Sequence, residues 1–429
     1  MKILISTLGS RGDTQPYLAL AVGLQQAGHR VTLVAPQSFI EWIQSYGVAA
    51  HPVRFNPHEV MQALSKSKNP FQAIRTMREV VNTGVMEAQA DCWQAAQDTD
   101  FLLQTGTGSN ALEIAARRGI PVAFAHLVPM PPTRVFPMFW LPFRFSLGEG
   151  YNYLTHTLVQ RALWSGMGGP TTNRWRTRLG LPAWRSEAEM HTYARSLGTP
   201  SLYGYSPNVI PKPSDWDEYH HVTGYWFLDA QPDWQPPADL LHFLESGSPP
   251  VYVGFGSMGH QNPERQTRLI LRALELTRQR GVLLTGWGGL ARLPAPPNVF
   301  FVENVPHSWL FPRMAAVVHH GGAGTTSAGL RAGVPGIISP GGGDQRAWAD
   351  LVLKLGVGLR ASGIKSLTAD KLANAIHIAV NDSALRARAA ALGEKIRAED
   401  GIARAVEVIE RHAAGPVDAY ERSPEARST

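Results

Sequence analysis

The chain of 429 residues is 44% apolar and 17% charged, which is enough apolar content for two ordinary domain cores and excludes a generally disordered chain. The formal net charge of +6 comes without a dense Lys/Arg run or a nucleic-acid-binding motif, so we expect no nucleic-acid partner. The only cysteine, Cys92, excludes a disulfide within the chain and a thiolate metal cluster, and it fits a reducing cytoplasm.

The first 35 residues predict a βαβ unit. Lys2–Thr7 has the pattern of a buried parallel strand, Gly9–Thr14 predicts a glycine turn, and Pro16–Ala27 has apolar residues at helical spacing. Gly28 is expected to end this helix before a second strand at Val31–Ala35. The opening segment lacks the features of a signal peptide, and no run of about 20 apolar residues predicts a membrane span. We therefore expect a cytoplasmic protein with at most peripheral membrane contact.

The rest of the first half departs from this regular alternation after two more predicted strands. The strands are predicted at Phe101–Thr105 and Val122–Ala125. The helices are predicted at Asn110–Arg118, Tyr151–Leu163 and Asn173–Leu179. Between them, residues 128–145 contain five prolines, no acid and no clear period. The aromatic candidates in this stretch are Phe136, Phe139, Trp140 and Phe143. Such a loop can form an apolar acceptor pocket, contact a membrane surface or cover the core. We expect an acceptor pocket, with His126 at the preceding strand end as a further lining residue.

A proline-rich polar segment, Asp229–Asp239, marks the predicted boundary between two domains. We place an N-terminal domain at residues 1–232, a C-terminal domain at 233–414 and a polar tail at 415–429. Strands of the second α/β series are predicted at Val251–Phe255, Val282–Thr285, Val299–Val302, Ala316–His319 and Gly336–Ser339. Its helices are predicted at Pro263–Gln279, after Thr325, Gln345, Thr368 and Ser383, and at Ile402–Ala413. The fold class is therefore α/β, with two analogous parallel sheets that face each other.

The segment HHGGAGTTSAGLRAGVP, which starts at His319, is the most informative part of the sequence. It predicts a strand end, a glycine loop and a helix start, whose free N–H groups and positive dipole end suit a diphosphate. The donor-binding candidates here are His320, Gly322, Gly324 and Thr325, with the Thr326 hydroxyl beside them, whereas His319 should point into the core. The segment is neither the nicotinamide fingerprint nor a P-loop, and a glycine turn needed only for packing remains the alternative.

Neighbouring loops add further donor-binding candidates, which are Ser257, Val305, Trp309, Asp344 and Gln345. Ser257 lies in a glycine turn and could contact phosphate. Trp309 could stack on a nucleobase or belong to the core. Asp344 and Gln345 could bind sugar hydroxyls, and Asp344 is in either case expected to act as a helix N-cap.

The turn Gly9-Ser10-Arg11-Gly12-Asp13 follows the first strand, where open α/β sheets place their ligands. A hydroxyl that reacts as a nucleophile needs a general base to take its proton, and we take Asp13 as that base. Ser10 would orient this hydroxyl or contact a phosphate of the second substrate. The alternative for Asp13 is an N-cap alone. We expect Arg11 to be a surface residue or a partner of a nearby acid.

The triplet Asp215-Trp216-Asp217 has the D-x-D pattern of metal-dependent glycosyltransferases of another fold. It follows Pro-Lys-Pro near the end of the first domain and not a nucleotide-binding strand. We interpret it as a surface turn and expect no metal.

These segments, in this order, resemble the GT-B glycosyltransferases, and in particular the sterol 3-β-glucosyltransferases and the bacterial glycopeptide and macrolide glycosyltransferases. The resemblance covers about 400 residues and includes GSRGDTQPYLALAVGLQQAGHRVTLVA, PPTRVFP, SPNVIPKPSDWDEYHHVTGYWF and PPVYVGFGSM. It implies an acceptor-binding N-terminal domain, a donor-binding C-terminal domain and metal-free inversion at the anomeric carbon. It points to Asp13 as the base. The chain departs from the family at Pro340–Gly343, where relatives often carry bulky residues.

We expect an inverting glycosyltransferase that moves a hexose, with glucose preferred, from a UDP-sugar to a hydroxyl of an apolar acceptor such as a sterol or terpenoid. It would use no cofactor beyond this co-substrate and would be a monomer or weak dimer. The alternatives are a natural-product transferase with a dTDP-sugar and an inactive nucleotide- or lipid-binding module. A dinucleotide oxidoreductase is disfavoured because its fingerprint is missing.

Overall fold

The computed structural model describes residues 1–55, 84–106, 108, 110–141, 145–256, 262–285 and 289–414. In this part of the chain, two all-parallel sheets of seven and six strands each carry helices on both faces. The predicted class of two Rossmann-like domains is confirmed. The described helices include none that is long and apolar enough to cross a bilayer.

The first sheet has the strand order β3-β2-β1-β4-β5-β6-β7. Its strands are β1 Lys2–Ser6, β2 Arg30–Pro36, β3 Ala49–Val53, β4 Phe101–Thr105, β5 Val122–His126, β6 Ser201–Tyr203 and β7 His220–Val222. Its helices are α1 Arg11–Gln26, α2 Ile40–Gln44, α3 Ala111–Arg118, α4 Glu149–Leu163, α5 Gly169–Arg178 and α6 Glu187–Ser196. Successive β1 residues point to opposite faces, so Ile3 and Ile5 pack with α1 while Leu4 packs with α3.

The second sheet has the strand order β10-β9-β8-β11-β12-β13. Its strands are β8 Val251–Gly254, β9 Gly281–Leu284, β10 Val299–Val302, β11 Ala316–His319, β12 Gly336–Ile338 and β13 Gly358–Arg360. The helices that follow the first domain are α7 Ala238–Glu245, α8 Pro263–Thr277, α9 His307–Leu310, α10 Ala323–Ala332, α11 Gln345–Lys354, α12 Ala369–Asn381, α13 Ser383–Arg397 and α14 Gly401–Ala413.

Both sheets reverse their winding direction at one point, between β1 and β4 in the first and between β8 and β11 in the second. In open parallel sheets, ligands bind in the crevice beyond the carboxyl ends of the strands at this point. The turn after β1 and the glycine loop after β11 both lie there. The turn with Asp13 and the glycine loop after His319 therefore occupy equivalent ligand-binding positions in the two sheets.

The first turn is shorter than predicted because α1 already begins at Arg11. Pro16 consequently lies inside the helix and not near its first residue. Proline has no N–H, so the Gly12 carbonyl receives no helical hydrogen bond from position 16. Gly28, with φ of 89°, follows the end of the helix as predicted.

The last helix, α14, was assigned by sequence to the second domain, and the structure differs. Ala405, Val406 and Ile409 pack in the same core cluster as α1 and β1. The chain therefore crosses between the domains twice, once after β7 and once after α13. The two crossing segments meet where Gly401 packs against Gly224, and a Cβ on Gly401 would lie 2.5 Å from the Gly224 carbonyl carbon.

Candidate active site

The first wall of the candidate site is the turn after β1. Asp13 is the third residue of α1, and its Oδ2 accepts hydrogen bonds from the Ser10 backbone N–H and the Ser10 hydroxyl, both at 2.8 Å. The carboxylate at the third helical position accepts the N-cap backbone N–H as in a capping box, which fixes it at the helix start. Ser10 therefore donates its hydroxyl hydrogen to Asp13 and not to a phosphate, which differs from one of the expected roles.

Arg11 connects this turn to the second domain, a role that the sequence did not indicate. Its guanidinium lies 4.8 Å from the Trp42 ring centroid, and its Nη1 donates to Asn304 Oδ1 at 3.3 Å. Burial lowers the pKa of Arg11, although an arginine remains charged at neutral pH. Its place between Ser10 and Asp13 is the signal that could have predicted a role at the cleft.

The second wall is the loop after β11, and its shape depends on His319. This side chain is buried, as predicted, and its Nδ1 accepts the Gly321 backbone N–H at 3.1 Å. Gly321 has φ of 94°, and a Cβ on it would lie 3.0 Å from the Gln345 carbonyl oxygen. A glycine is therefore required where this loop packs against the start of α11.

The amino end of α10 forms an anion cradle, which we define as the backbone N–H groups of Ala323, Gly324 and Thr325. Gly322 is the N-cap, so these groups have no partner within the helix. The Thr326 hydroxyl was expected to add a further donor, but it donates to the Gly322 carbonyl oxygen at 2.9 Å. Thr325, one residue earlier, is half-buried at the helix start.

His320 lies in a slot between two glycines. A Cβ on Gly322 would lie 2.6 Å from His320 Nε2, and a Cβ on Gly256 would lie 3.0 Å from its Cε1. Gly256 also has φ of 62°, a conformation that favours glycine. The imidazole therefore sits between the turn after β8 and the start of α10, beside the anion cradle.

Asp344 and Gln345 lie at the start of α11, and each already has a role there. Asp344 holds the N-cap position without capping the helix through its side chain, because its Oδ2 instead accepts the Trp348 indole N–H at 3.0 Å. Asp344 is thus the N-cap residue by position, as predicted, but its carboxylate does not cap the helix. Gln345 Oε1 accepts hydrogen bonds from the backbone N–H groups of Gly341 and Gly342, at 2.8 and 3.3 Å. It therefore holds the conformation of Pro340–Gly343, the segment in which the sequence departs from the family pattern.

The two walls face each other closely. A Cβ on Gly324 would lie 4.0 Å from the Gly12 carbonyl oxygen. Burial raises the pKa of Asp344, and the negative charge of Asp13 across the cleft raises it further. Burial lowers the pKa of His307 to about 4, and the charges of Arg11 and His320 contribute to this shift. One small volume therefore contains a carboxylate, a histidine and the anion cradle.

Two other donor candidates lie in the second-domain core, and one lies outside the described residues. The Trp309 ring packs on Trp234, with a centroid distance of 5.3 Å, and Arg313 lies 4.3 Å over it. Core packing was the alternative to nucleobase stacking for Trp309. Because both neighbours cover the ring, Trp309 is a poor candidate for stacking on a nucleobase. Val305 is 8% exposed, in the same core cluster. Ser257 is not among the described residues.

The acceptor candidates divide into buried and accessible side chains. Phe139 is 3% exposed and packs edge-on against Trp348 of the second domain at 5.2 Å, so it joins the two domains and does not line an open pocket. Phe136 packs near His156, whereas Trp140 is 37% exposed. Phe143 lies outside the described residues.

His126 ends β5, at the carboxyl edge of the first sheet. Its ring stacks on Tyr203 at 5.4 Å, and burial lowers its pKa to about 3. It is therefore a neutral aromatic wall at physiological pH and not a proton donor.

The D-x-D triplet is tied to the first domain. Asp215 accepts from the Thr133 hydroxyl and the Arg134 backbone N–H, both at 2.7 Å. Asp217 pairs with Arg195 at 3.2 Å. Asp215 thus fastens the loop that precedes α4, whereas Asp217 is bound to α6, so both carboxylates have structural partners within the first domain.

Two family domains match the chain, one in each half. Residues 3–137 match the glycosyltransferase family 28 N-terminal domain. Residues 289–411 match the C-terminal domain of the erythromycin biosynthesis protein CIII-like family. The first match contains the turn with Asp13, and the second contains the anion cradle.

Three sterol 3-beta-glucosyltransferases from fungi are similar to this chain over nearly its whole length. Identity is 36% for Cryptococcus neoformans, 35% for Neurospora crassa and 34% for Emericella nidulans, in each case over 96% of this chain. The chain spans only 27%, 27% and 30% of the length of these relatives.

Solved structures of bacterial enzymes share the fold at low sequence identity. The kitacinnamycin glycotransferase has a TM-score of 0.72 with 23% identity, and it is covered to 99% by 96% of this chain. The calicheamicin glycosyltransferase CalG4 has a TM-score of 0.71 with 19% identity, over 97% of this chain and 99% of its own. By its two facing sheets and its likeness to these structures, the chain has the GT-B fold, and its two halves match the glycosyltransferase family 28 N-terminal domain and the erythromycin biosynthesis protein CIII-like C-terminal domain.

Proposed function

We propose that the chain transfers a hexose, with glucose preferred, from a UDP-sugar to a hydroxyl of a sterol or similar apolar acceptor. The observation that carries this proposal is the juxtaposition of the anion cradle with the turn that holds Asp13, where a Cβ on Gly324 would lie 4.0 Å from the Gly12 carbonyl oxygen. The names of the fungal relatives support glucose and a sterol. A single displacement between these walls would invert the anomeric carbon, and we propose that it needs no metal.

In the proposed reaction, Asp13 is the general base. The acceptor oxygen attacks C1 of the sugar, its proton passes to the Asp13 carboxylate, and the bond from C1 to the diphosphate oxygen breaks. Both hydrogen bonds from Ser10 reach Oδ2, so Oδ1 is the oxygen we expect to take the proton. Ser10 is then a positioning residue that holds the base.

The leaving diphosphate gains negative charge in the transition state. The anion cradle and His320 are aimed at that charge, and groups fixed in place before the reaction stabilise it at little reorganisation cost. We expect Thr325 to add a hydroxyl, and Arg11 to contribute a cation from the acceptor domain across the cleft.

We expect the rest of the donor to lie along the second domain. A recess of about 550 Å³, lined by Arg292, Asn304 and Val305 among others, adjoins the residue that binds Arg11 and could take the nucleoside. Asp344 and Gln345 would face the sugar hydroxyls. We assign the acceptor to the first domain, near His126, Trp140 and Phe136, with peripheral contact to a membrane.

The first test is binding of nucleotide sugars by thermal shift. UDP-glucose should raise the melting temperature, and EDTA should leave this shift unchanged. A panel with dTDP-glucose and a nicotinamide dinucleotide covers the alternatives. The bacterial relatives SsfS6 and VinC were solved with thymidine or deoxythymidine diphosphate, so a larger shift with dTDP-glucose would favour the natural-product alternative.

The second test is the variant Asp13→Asn, with Asp370→Asn as its matched control. Both residues lie in the first turn of a helix, but Asp370 is exposed in α12, outside the cleft. Asp13→Asn should keep the thermal shift while glucosyl transfer to a detergent-solubilised sterol falls by about 10²–10⁴-fold, because proton removal is lost. Wild-type turnover of this variant would refute the base, and normal binding without any wild-type turnover would favour a binding module.

A further inference from the structure

Helix α4 has an apolar outward face, which is unusual for a helix on the surface of a globular domain. Leu154 is 51% exposed and Leu158 is 56% exposed, one helical turn apart. The residues before the helix extend this surface, since Phe145 is 53% and Leu147 is 72% exposed. We call these four side chains the α4 apolar surface.

Three side chains on the inner side of α4 bind the loop before the helix, which fixes the direction of the outer side. Asn152 donates to the Arg134 carbonyl at 2.8 Å, Gln160 donates to the Met130 carbonyl at 2.9 Å, and a His156 ring nitrogen lies 3.0 Å from the Phe136 carbonyl oxygen. These bonds attach the helix to the loop that carries the acceptor candidates. Leu154 and Leu158 are therefore held outward by the structure and not left exposed by a loose helix.

The chain around this surface is net basic. Residues 128–178 contain six arginines, one acid and no lysine in the sequence, although Arg176 is buried and Arg144 lies outside the described residues. The acid, Glu149, is in the first turn of α4, whereas the exposed Arg161 shares the outward face with Leu154 and Leu158 by helical spacing. Apolar side chains bordered by arginine complement a bilayer that contains anionic lipids.

We propose that the α4 apolar surface docks the enzyme on an anionic membrane and presents the acceptor side of the cleft to the lipid phase. This inference rests on the proposed transfer to an apolar hydroxyl, because such an acceptor resides in the bilayer. The acceptor candidate Trp140 is 37% exposed on the loop that is bound to α4. Docking thus places acceptor and site together without a spanning helix.

The experiment measures sedimentation with vesicles of phosphatidylcholine, with and without phosphatidylglycerol. We expect binding only with phosphatidylglycerol, weakened by salt. The double variant Leu154→Gln/Leu158→Gln should reduce the partition coefficient about tenfold or more, because two leucines no longer enter the interface. The matched control is Leu276→Gln/Leu353→Gln, two leucines that are 43% and 50% exposed on other helices, and it should bind as wild type.

Activity separates this inference from the proposed function. With sterol in vesicles, the α4 double variant should lose turnover in proportion to its lost binding, whereas with sterol in detergent it should match wild type. Equal vesicle binding by wild type and the double variant would overturn the docking surface, even if transfer is observed. A wild-type dimer that the double variant converts to a monomer in light scattering would instead assign the surface to self-association. Absence of any transfer, with lipid binding intact, would overturn only the proposed function.

Discussion

Gly322 leaves the space that the His320 ring occupies. Adding one methyl group at Gly322 should therefore weaken UDP binding without unfolding the domain. In Gly322→Ala, the new Cβ would lie 2.6 Å from His320 Nε2, so the ring must move by about 1 Å to regain ordinary contact. A hydrogen bond lengthened by that amount no longer holds. If the imidazole binds the diphosphate, its loss should cost about 1.5–3 kcal/mol, or roughly 10–150-fold in the dissociation constant.

Calorimetric titration with UDP is the assay, and Gly342→Ala is the matched control. Gly342 lies in the other glycine-rich loop of the cleft, and a Cβ on it would meet nothing within 4 Å. The Gly322 backbone is extended, with φ of −63°, so alanine fits there without backbone strain and should change the N-cap free energy by only about 1 kcal/mol. The melting temperature of the free variant checks that the domain still folds.

A double-mutant cycle with His320→Ala tests the cause. If the methyl acts by displacing the ring, then Gly322→Ala should add almost nothing to His320→Ala, because the clash has already been removed. Two effects that simply add would refute the reasoning, since the methyl group would then act on the anion cradle directly. Undiminished UDP binding by Gly322→Ala would remove His320 from the proposed site altogether.

Two further predictions concern buried groups. The pKa of His126 is lowered to about 3 and that of His307 to about 4, from 6.5, so between pH 4 and 6.5 the unfolded chain binds more protons and stability rises with pH. Lowering the pH from 6.5 to 5 should reduce the free energy of unfolding by about 3 kcal/mol from both rings, and urea titrations in which His307→Asn keeps the full slope would contradict this. The Tyr205 hydroxyl is buried without a hydrogen-bond partner among the described residues, so Tyr205→Phe should leave the free energy of unfolding unchanged or raise it slightly, and a loss above about 1 kcal/mol would reveal a hidden partner.

The strongly buried strands could be predicted to the residue. Phe101–Thr105 and Ala316–His319 have the predicted ends because strands buried on both faces of a parallel sheet are continuous apolar runs. The edge strand Val299–Val302 also has the predicted ends because its four residues are all apolar, although it is mostly half-buried. The edge strand Ala49–Val53 has no such signal, since it contains Pro52 and is mostly half-buried or exposed. Its identity comes from pairing with β2, which is not a local property of the sequence.

The location of the candidate site could also be predicted, but the partner of each polar group could not. Glycine turns after strands marked both walls. The bonds from Ser10 to Asp13 and from Thr326 to the Gly322 carbonyl depend on helices that start earlier than predicted, at Arg11 and at Ala323. The bond from Trp348 to Asp344 forms at a helix start that was predicted correctly, but its direction was not. A shift of one residue rotates a side chain by about 100°, so the donor direction could not be derived from spacing alone.

The double passage of the chain between the domains makes the second domain an insertion within the first. The two connecting segments pack against each other at Gly224 and Gly401. A double connection of this kind restricts rotation of one domain against the other more than a single linker would. Glu399, which accepts from the Ser206 hydroxyl at 2.5 Å, anchors the returning strand. Cutting the chain at the proline-rich linker would therefore not yield two autonomous halves, because the first would lack α14, the helix that covers α1.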